Sequence, residues 1–254
     1  MEFAACKVPV SPVRKRASHK SEMVNQLLFG ETMIVLKQKK KWARIQSIPD
    51  NYEGWITVSH MEEIAGNLLI PDNLWLSSDL FSAIETDGKP MHISAGASLL
   101  GFDGSVGKFG KIEYRFSGNK INRNEVSPDA LSVERLSKQW LNAPYLWGGR
   151  TPLGVDCSGF SKTIFKMIGI DLPRDAWQQV QTGKRIKKLK DALTGDLAFF
   201  NDKEEIVHVG ILLSSELIIH ASGKVRIDII TEKGIINSET GKKTHRLKAI
   251  RRYW

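Results

Sequence analysis

Only two cysteines, Cys6 and Cys157, occur in 254 residues. Two cannot build the multi-bridge framework of a small secreted scaffold, and neither sits in a metal-ligand spacing. Long apolar runs are missing as well. The longest, such as residues 206–213 interrupted by His208, fall far short of the roughly 18 to 20 residues a membrane-spanning helix needs. Aromatic residues make up 8%, hydrophobic residues 41% and charged residues 26%, which excludes a disordered or collagen-like chain and fits one large or two to three small globular domains. Acidic residues are in deficit, 28 against 37 basic ones, for a net charge of +9. Such an excess invites a polyanion. The basic residues are scattered, however, apart from runs at 37–41 and 184–190, and neither run interleaves aromatics as a base-stacking surface does. No nucleic-acid partner is expected. Residues 1–13 hold no apolar core of signal-peptide length, so the chain as given reads as cytoplasmic. Phe3-Ala4-Ala5-Cys6 does look like the end of a lipoprotein signal, and a cell-envelope location would need a longer leader before it.

Residues 32–36, 42–47 and 54–58 are rich in β-branched and aromatic side chains and separated by turn residues, which predicts short strands and a small β-barrel over 1–64. Within the second strand Ala43 and Ile45 fall on one face. Residues 65–127 again lack a helical stripe, with strands expected at 92–94, 98–102 and 111–116. After Pro128 the period changes. Val133, Leu136, Trp140 and Leu141, joined by Ala130 and Leu131, predict a helix over 129–141 with Ser127 or Asp129 as its cap. Phe160, Ile164, Met167 and Ile168 predict a second helix ending at Gly169, and 174–182 a third. From Gly195 onward the chain is strand-like, at 196–200, 206–213, 217–221, 225–230 and 249–253. Helices first and strands later is an α+β pattern.

Cys157 follows the glycine-rich stretch Gly148-Gly149-Arg150-Thr151-Pro152-Leu153-Gly154 and opens the second helix, with Asp156 placed to cap it. Free N–H groups and the positive end of the helix dipole favour a thiolate there, although a cysteine is also commonly a small buried hydrophobe. His208 and His220 are symmetric about residue 214, in the polar break between two strands. A hairpin pivoting there sets them directly opposite each other on one face, so that one imidazole can orient the other. Metal ligation is the competing use of a histidine pair, but no third ligand stands at motif spacing.

These residues resemble the NlpC-type cell-wall cysteine peptidases, a branch of the papain-like fold. The likeness runs through Tyr145-Leu146-Trp147-Gly148-Gly149, Asp156-Cys157-Ser158-Gly159-Phe160, Gly195-Asp196-Leu197, His208-Val209-Gly210-Ile211 and His220-Ala221. Gly30-Glu31, the Trp42 strand and Tyr52-Glu53-Gly54-Trp55-Ile56 resemble the bacterial SH3-like domain. The fold class implied is α+β, a papain-like catalytic domain at 128–254 preceded by two SH3-like barrels at 1–64 and 65–127. Gly96 to Leu100 could repeat Gly30 to Ile34.

Two such modules ahead of the domain are similar to the γ-D-glutamyl-L-diamino acid endopeptidases. By that resemblance Cys157 is the nucleophile, His208 the base, His220 the third member and Tyr145 a donor near the oxyanion. Glu22 and Asp156 are implied to meet the free amine of L-alanine, with Ser158 near the glutamate carboxylate. Tyr52, Trp147 and Asp175 are implied to line the substrate, and Ala176 stands where related sequences tend to have serine. No metal or organic cofactor is required. The implied activity is cleavage of L-Ala-γ-D-Glu-diamino acid peptides derived from peptidoglycan. An amidase cutting the sugar-to-L-alanine bond or a lytic wall hydrolase, and in another class a non-catalytic wall-binding protein, are the alternative functions.

Overall fold

Alternation of apolar and polar residues at 42–47 buries Ala43 and Ile45 and turns Arg44 outward, as a half-buried strand requires. The computed structural model describes every residue from Met1 to Trp254. It divides into two compact units, residues 1–126 with 147–151, and residues 127–146 with 152–254.

In the first unit, seven antiparallel strands lie in the order Met23–Leu28, Val10–Arg14, Glu53–Thr57, Trp42–Ser47, Thr32–Gln38, Phe3–Cys6, Met61–Glu63. Ala4, Cys6, Val13, Leu27, Met33, Ala43, Ile45, Ile56 and Met61 form the core of this sheet. Trp42 and Trp55 stay outside it, half-buried, Trp42 against His19 and Trp55 beneath the Lys39 ammonium.

Beyond residue 65 the strands split into two small antiparallel sheets. One has the order Lys89–Ser94, Phe81–Thr86, Ile112–Phe116, Val106–Phe109, and the other Ser98–Leu99, Trp75–Ser77, Lys120–Asn122. Their core is continuous with the preceding segment, because Phe29 packs edge-on against Phe109 and Tyr114 with ring centres 5.5 and 5.2 Å away. Gly30 makes that junction possible. Its φ is +72°, and a Cβ there would stand 1.9 Å from the Ser98 carbonyl oxygen. The change at 64/65 is therefore a change of sheet across a second core to which Ala5, Leu28, Phe29 and Ile64 of the preceding segment contribute.

The second unit opens with α1, Ala130–Lys138, capped by Asp129 Oδ1, which accepts from the Ser132 N–H at 2.8 Å. Val133 and Leu136 are buried as the stripe requires, but Leu131 and Leu141, expected to join it, face solvent. Helix α2, Cys157–Met167, is buried on all sides, the mark of a helix inside a core. Even Lys162 is enclosed, its Nζ donating to the Leu172 carbonyl at 2.8 Å. Helix α3 is one turn, Ala176–Gln179, shorter than expected because, after the Val180 N–H reaches the Ala176 carbonyl, the bonds tighten to Gln181 N–H on Gln178 and Thr182 N–H on Gln179 before Gly183 at φ +76°.

Strands Lys243–Arg252, Leu197–Asp202, Glu205–Leu212, Leu217–Ser222, Lys224–Thr231 and Gly234–Ile236 follow one another in the sheet, and the last pairs back to the first. A closed barrel results, with Lys184–Ile186 added beside Lys243–Arg252. Closure gives Gly234–Ile236 a partner on both sides, whereas residues 205–210 pair only with Leu197–Asp202.

The hairpin carrying the two histidines is offset by two residues from the expected pairing. Ile211 pairs with Ile219 and Leu212 with Ile218, which moves the pivot from 214 to 215. The cause is local. Ser214 Oγ accepts from the Glu216 and Leu217 N–H groups at 3.0 and 3.1 Å, building a three-residue turn. His220 consequently lies across from Gly210, and His208 is its diagonal neighbour. A shift of two preserves the face, since side chains alternate with period two.

Candidate active site

Asp156 starts α2 by accepting the Gly159 N–H on Oδ1 at 2.7 Å, which puts Cys157 in the first turn. Arg174 holds that carboxylate with two bonds, Nη1 to Oδ1 at 3.0 Å and Nη2 to Oδ2 at 2.6 Å, and also donates to Ser158 Oγ at 2.9 Å. All three side chains are buried, so the fork is a rigid, charge-assisted brace under Cys157. Asp156 is thus engaged with a guanidinium and a backbone donor within its own unit. Asp175 caps α3, and its N–H donates to Gln178 Oε1 at 3.1 Å.

The Cys157 sulfur is buried, and the backbone N–H of Val209, the residue next to His208, favours its charged form. Burial pushes its thiol up to about 12, with the Asp156 charge adding to the effect and the Val209 N–H and Arg174 opposing it. The resting group is a thiol that needs a base.

The strand register joins two imidazoles and a carboxylate. His208 Nε2 and His220 Nδ1 are 2.8 Å apart, and His220 Nε2 is 3.0 Å from Asp228 Oδ2. A Cβ at position 210 would come within 2.9 Å of the His220 Cβ, so Gly210 is what admits His220 at this distance. Burial first, then His220, His245 and Arg226, hold His208 well below the usual imidazole range. His220 is lowered by burial too, against the pull of Asp228. Asp228 stays ionised. Burial opposes its charge, yet the bond to His220, the Ser238 N–H and Arg226 together hold its carboxyl at about 2. His245 stacks on His208 with ring centres 4.2 Å apart, and burial with the nearby His220 and Arg226 brings it to about 4.

Tyr145 is partly exposed. Burial and the charges of Cys157 and Asp156 raise its phenol, which keeps it a hydrogen-bond donor. Of the residues singled out from sequence, the second unit contains Tyr145, Asp156, Cys157, Ser158, Asp175, His208 and His220, and joins the histidines directly. Asp228, His245 and Arg174 were not foreseen. The signal for Asp228 was an acid within the apolar alternation Val225-Arg226-Ile227-Asp228-Ile229, on the face His220 shares.

In the first unit, Trp147 Nε1 donates to Glu22 Oε1 at 3.0 Å, while Lys15 lies 3.4 Å from Oε2. The Trp147 ring is otherwise 59% exposed. Tyr52 sits half-buried in the turn before Glu53–Thr57, its carbonyl taking the Ser47 N–H. Arg150 forks onto Glu31 with two bonds of 2.8 Å, both side chains fully buried, and its N–H donates to Gln26 Oε1 at 2.7 Å. Gly148 at φ +76° would place a Cβ 2.6 Å from the Met23 carbonyl oxygen. Glycine and arginine together seat 147–151 against strand Met23–Leu28.

Comparison with known proteins finds two matched stretches. Residues 142–243 match the NlpC/P60 family, and residues 13–61 match the bacterial dipeptidyl-peptidase Sh3 domain. The gamma-D-glutamyl-L-lysine dipeptidyl-peptidase of Bacillus subtilis is 27% identical over 224 residues, covering 81% of this chain and 75% of that protein. The Bacillus cereus protein of the same name is 27% identical over 256 residues, covering 87% and 74%. A probable endopeptidase of Haemophilus influenzae is 37% identical over 106 residues, 39% of this chain and 65% of that one. The crystal structure of an NlpC/P60 family protein from Bacillus cereus has the same fold, with a TM-score of 0.79 over 99% of both chains at 20% identity. The chain carries an NlpC/P60 domain preceded by a bacterial dipeptidyl-peptidase SH3 domain.

Proposed function

We propose that the protein is a cysteine endopeptidase that hydrolyses the γ-D-glutamyl–diamino acid bond of peptidoglycan-derived peptides bearing a free N-terminal L-alanine, releasing L-Ala-γ-D-Glu. The observation that carries this reading is the file of side chains Asp228, His220 and His208, the last of them next to Val209, whose backbone N–H favours the charged form of the Cys157 sulfur. The names of the two Bacillus relatives support the choice of bond.

His208 takes the thiol proton, and the sulfur attacks the γ-amide carbonyl. Backbone N–H groups at the start of α2 and the Tyr145 hydroxyl are the donors for the oxyanion. His208 then protonates the leaving amine, and water, deprotonated by the same imidazole, hydrolyses the thioester. Ser158 reads the substrate carboxylate, while Trp147, Tyr52 and Asp175 line the peptide. Glu22 is the carboxylate assigned to the free amine, with Asp156 as a second negative charge. In this reading the enzyme acts in recycling freed wall peptides.

Mass spectrometry of digests of L-Ala-γ-D-Glu-diaminopimelate and its lysine counterpart tests the proposal. Release of L-Ala-γ-D-Glu from at least one is expected. Release of free L-alanine, or no cleavage of either, would contradict it.

A further inference from the structure

Asp228 takes no step in the mechanism above, yet it is almost completely buried and receives three hydrogen bonds: His220 on Oδ2 at 3.0 Å, Arg226 Nε on Oδ2 at 2.9 Å, and the Ser238 N–H on Oδ1 at 2.9 Å. An ionised carboxylate can only accept. His220 must therefore carry its proton on Nε2. A neutral imidazole holds one N–H, so His220 Nδ1 is an acceptor, and the 2.8 Å contact requires His208 Nε2 to be the donor. One tautomer of His208 follows, with Nε2 protonated and Nδ1 bare. The opposite arrangement would set the His220 Nε2 lone pair against the carboxylate.

We propose that Asp228 is a positioning residue which, through His220, fixes His208 in the Nε2–H tautomer and offsets the positive charge His208 gains from the Cys157 proton. The second half rests on the peptidase reading above. In that step the S–H bond breaks, its electron pair stays on sulfur, and an N–H bond forms at His208 Nδ1. The protons on His208 Nε2 and His220 Nε2 stay where they are. The charged and titratable groups around the file are Arg226 beside Asp228 on their own strand, His208 and His220 on the two neighbouring strands, and His245, stacked on His208, from the closing strand. Arg226 is the one permanent cation among them. Removing the carboxylate leaves that guanidinium as the nearest donor for His220 Nε2, which favours the reversed tautomer along the whole file.

The test uses the full chain with 15N-labelled histidine, compared with Asp228→Ala and Asp228→Asn. Long-range proton–nitrogen spectra should show His208 protonated on Nε2 alone in the parent, and a mixture or the reversed tautomer in Asp228→Ala. Losing one hydrogen bond to a charged group predicts that kcat falls about 10- to 150-fold in both variants. KM should stay within about twofold, with unchanged circular dichroism. Asp228→Asn keeps the shape and loses the charge, so a purely structural role would restore kcat there. Parent-like kcat in Asp228→Asn, or a single Nε2–H tautomer persisting in Asp228→Ala, would overturn the proposal. A parent enzyme inert toward the peptide would count against the peptidase reading alone, because the spectra need no substrate.

Discussion

The imidazoles of His208 and His220 meet at 2.8 Å although the two residues are diagonal, not direct, cross-strand partners. Direct partners in this hairpin are Gly210 and His220, and the missing side chain at 210 lets the second ring lean toward the first. Gly210→Ala should therefore separate the imidazoles without touching either. Its Cβ would stand 2.6 Å from the Ile218 Cδ1 and 2.9 Å from the His220 Cβ. The expected outcome is a loss of kcat of about 10-fold or more, the size of one charged hydrogen bond. Steady-state kinetics beside a thermal melt check it; unaltered kcat would mean that the rings find each other by another route.

His220 and His208 should differ as orienter and base. His220→Ala lowers kcat strongly, but His208→Ala lowers it further, because an unoriented imidazole still visits the correct tautomer. Parallel kinetic measurements decide the order, and equal residual rates would remove the distinction.

Acid should destabilise the catalytic unit through its histidines. His208, His220 and His245 all have folded values below 6.5, so their contribution is complete above 6.5. As pH falls the unfolded chain binds protons that the fold refuses, and stability declines toward pH 4, where His245 titrates. Asp228, held at about 2, adds a further loss between 3.8 and 2. Thermal melts between pH 7.5 and 4 should show a falling Tm, and His245→Asn should flatten the slope. A Tm independent of pH over that range would contradict the burial of neutral imidazoles.

Arg150 and Glu31 form a fully buried, two-bond ion pair in the first unit. Glu31→Gln leaves the guanidinium charge uncompensated, and a broken buried pair typically costs about 3–5 kcal/mol. Urea denaturation should show a loss of that order. A change under about 1 kcal/mol would mean that water or another group takes over the charge.

Glu22→Gln tests the amine assignment. The parent should cut L-Ala-γ-D-Glu-diaminopimelate well and its N-acetylated form poorly. The variant should narrow that ratio, chiefly by slowing the free peptide about 10- to 150-fold in kcat/KM. Equal cleavage of free and acetylated peptides by the parent would return the N-terminal modules to another role, such as wall binding.

Local signals carried most of what could be read ahead of the structure. Helix α2 was visible because a glycine-rich loop, a capping Asp156 and an apolar stripe coincide over a few residues. The shared face of His208 and His220 was visible because period two survives a register error of two. The error itself arose from Ser214, whose hydroxyl closes a three-residue turn that residue type alone does not announce. Asp228, His245 and Arg174 reach the site only through pairings set by barrel closure and by the fork onto Asp156, and such long-range partners leave no periodic trace. Strand Gly234–Ile236, which closes the barrel, is three residues long and went unseen for the same reason. The shared core around Phe29 was hidden because one aromatic ring in a turn looks like any other until its neighbours are known.

The central claim is that the Cys157 sulfur forms the bond to the glutamyl carbonyl, and Cys157→Ala tests it most directly. Purified parent and variant, matched by circular dichroism, are incubated with L-Ala-γ-D-Glu-diaminopimelate and the products are weighed by mass spectrometry. Release of L-Ala-γ-D-Glu by the parent and none by the variant is the predicted result; measurable release by the variant would contradict it.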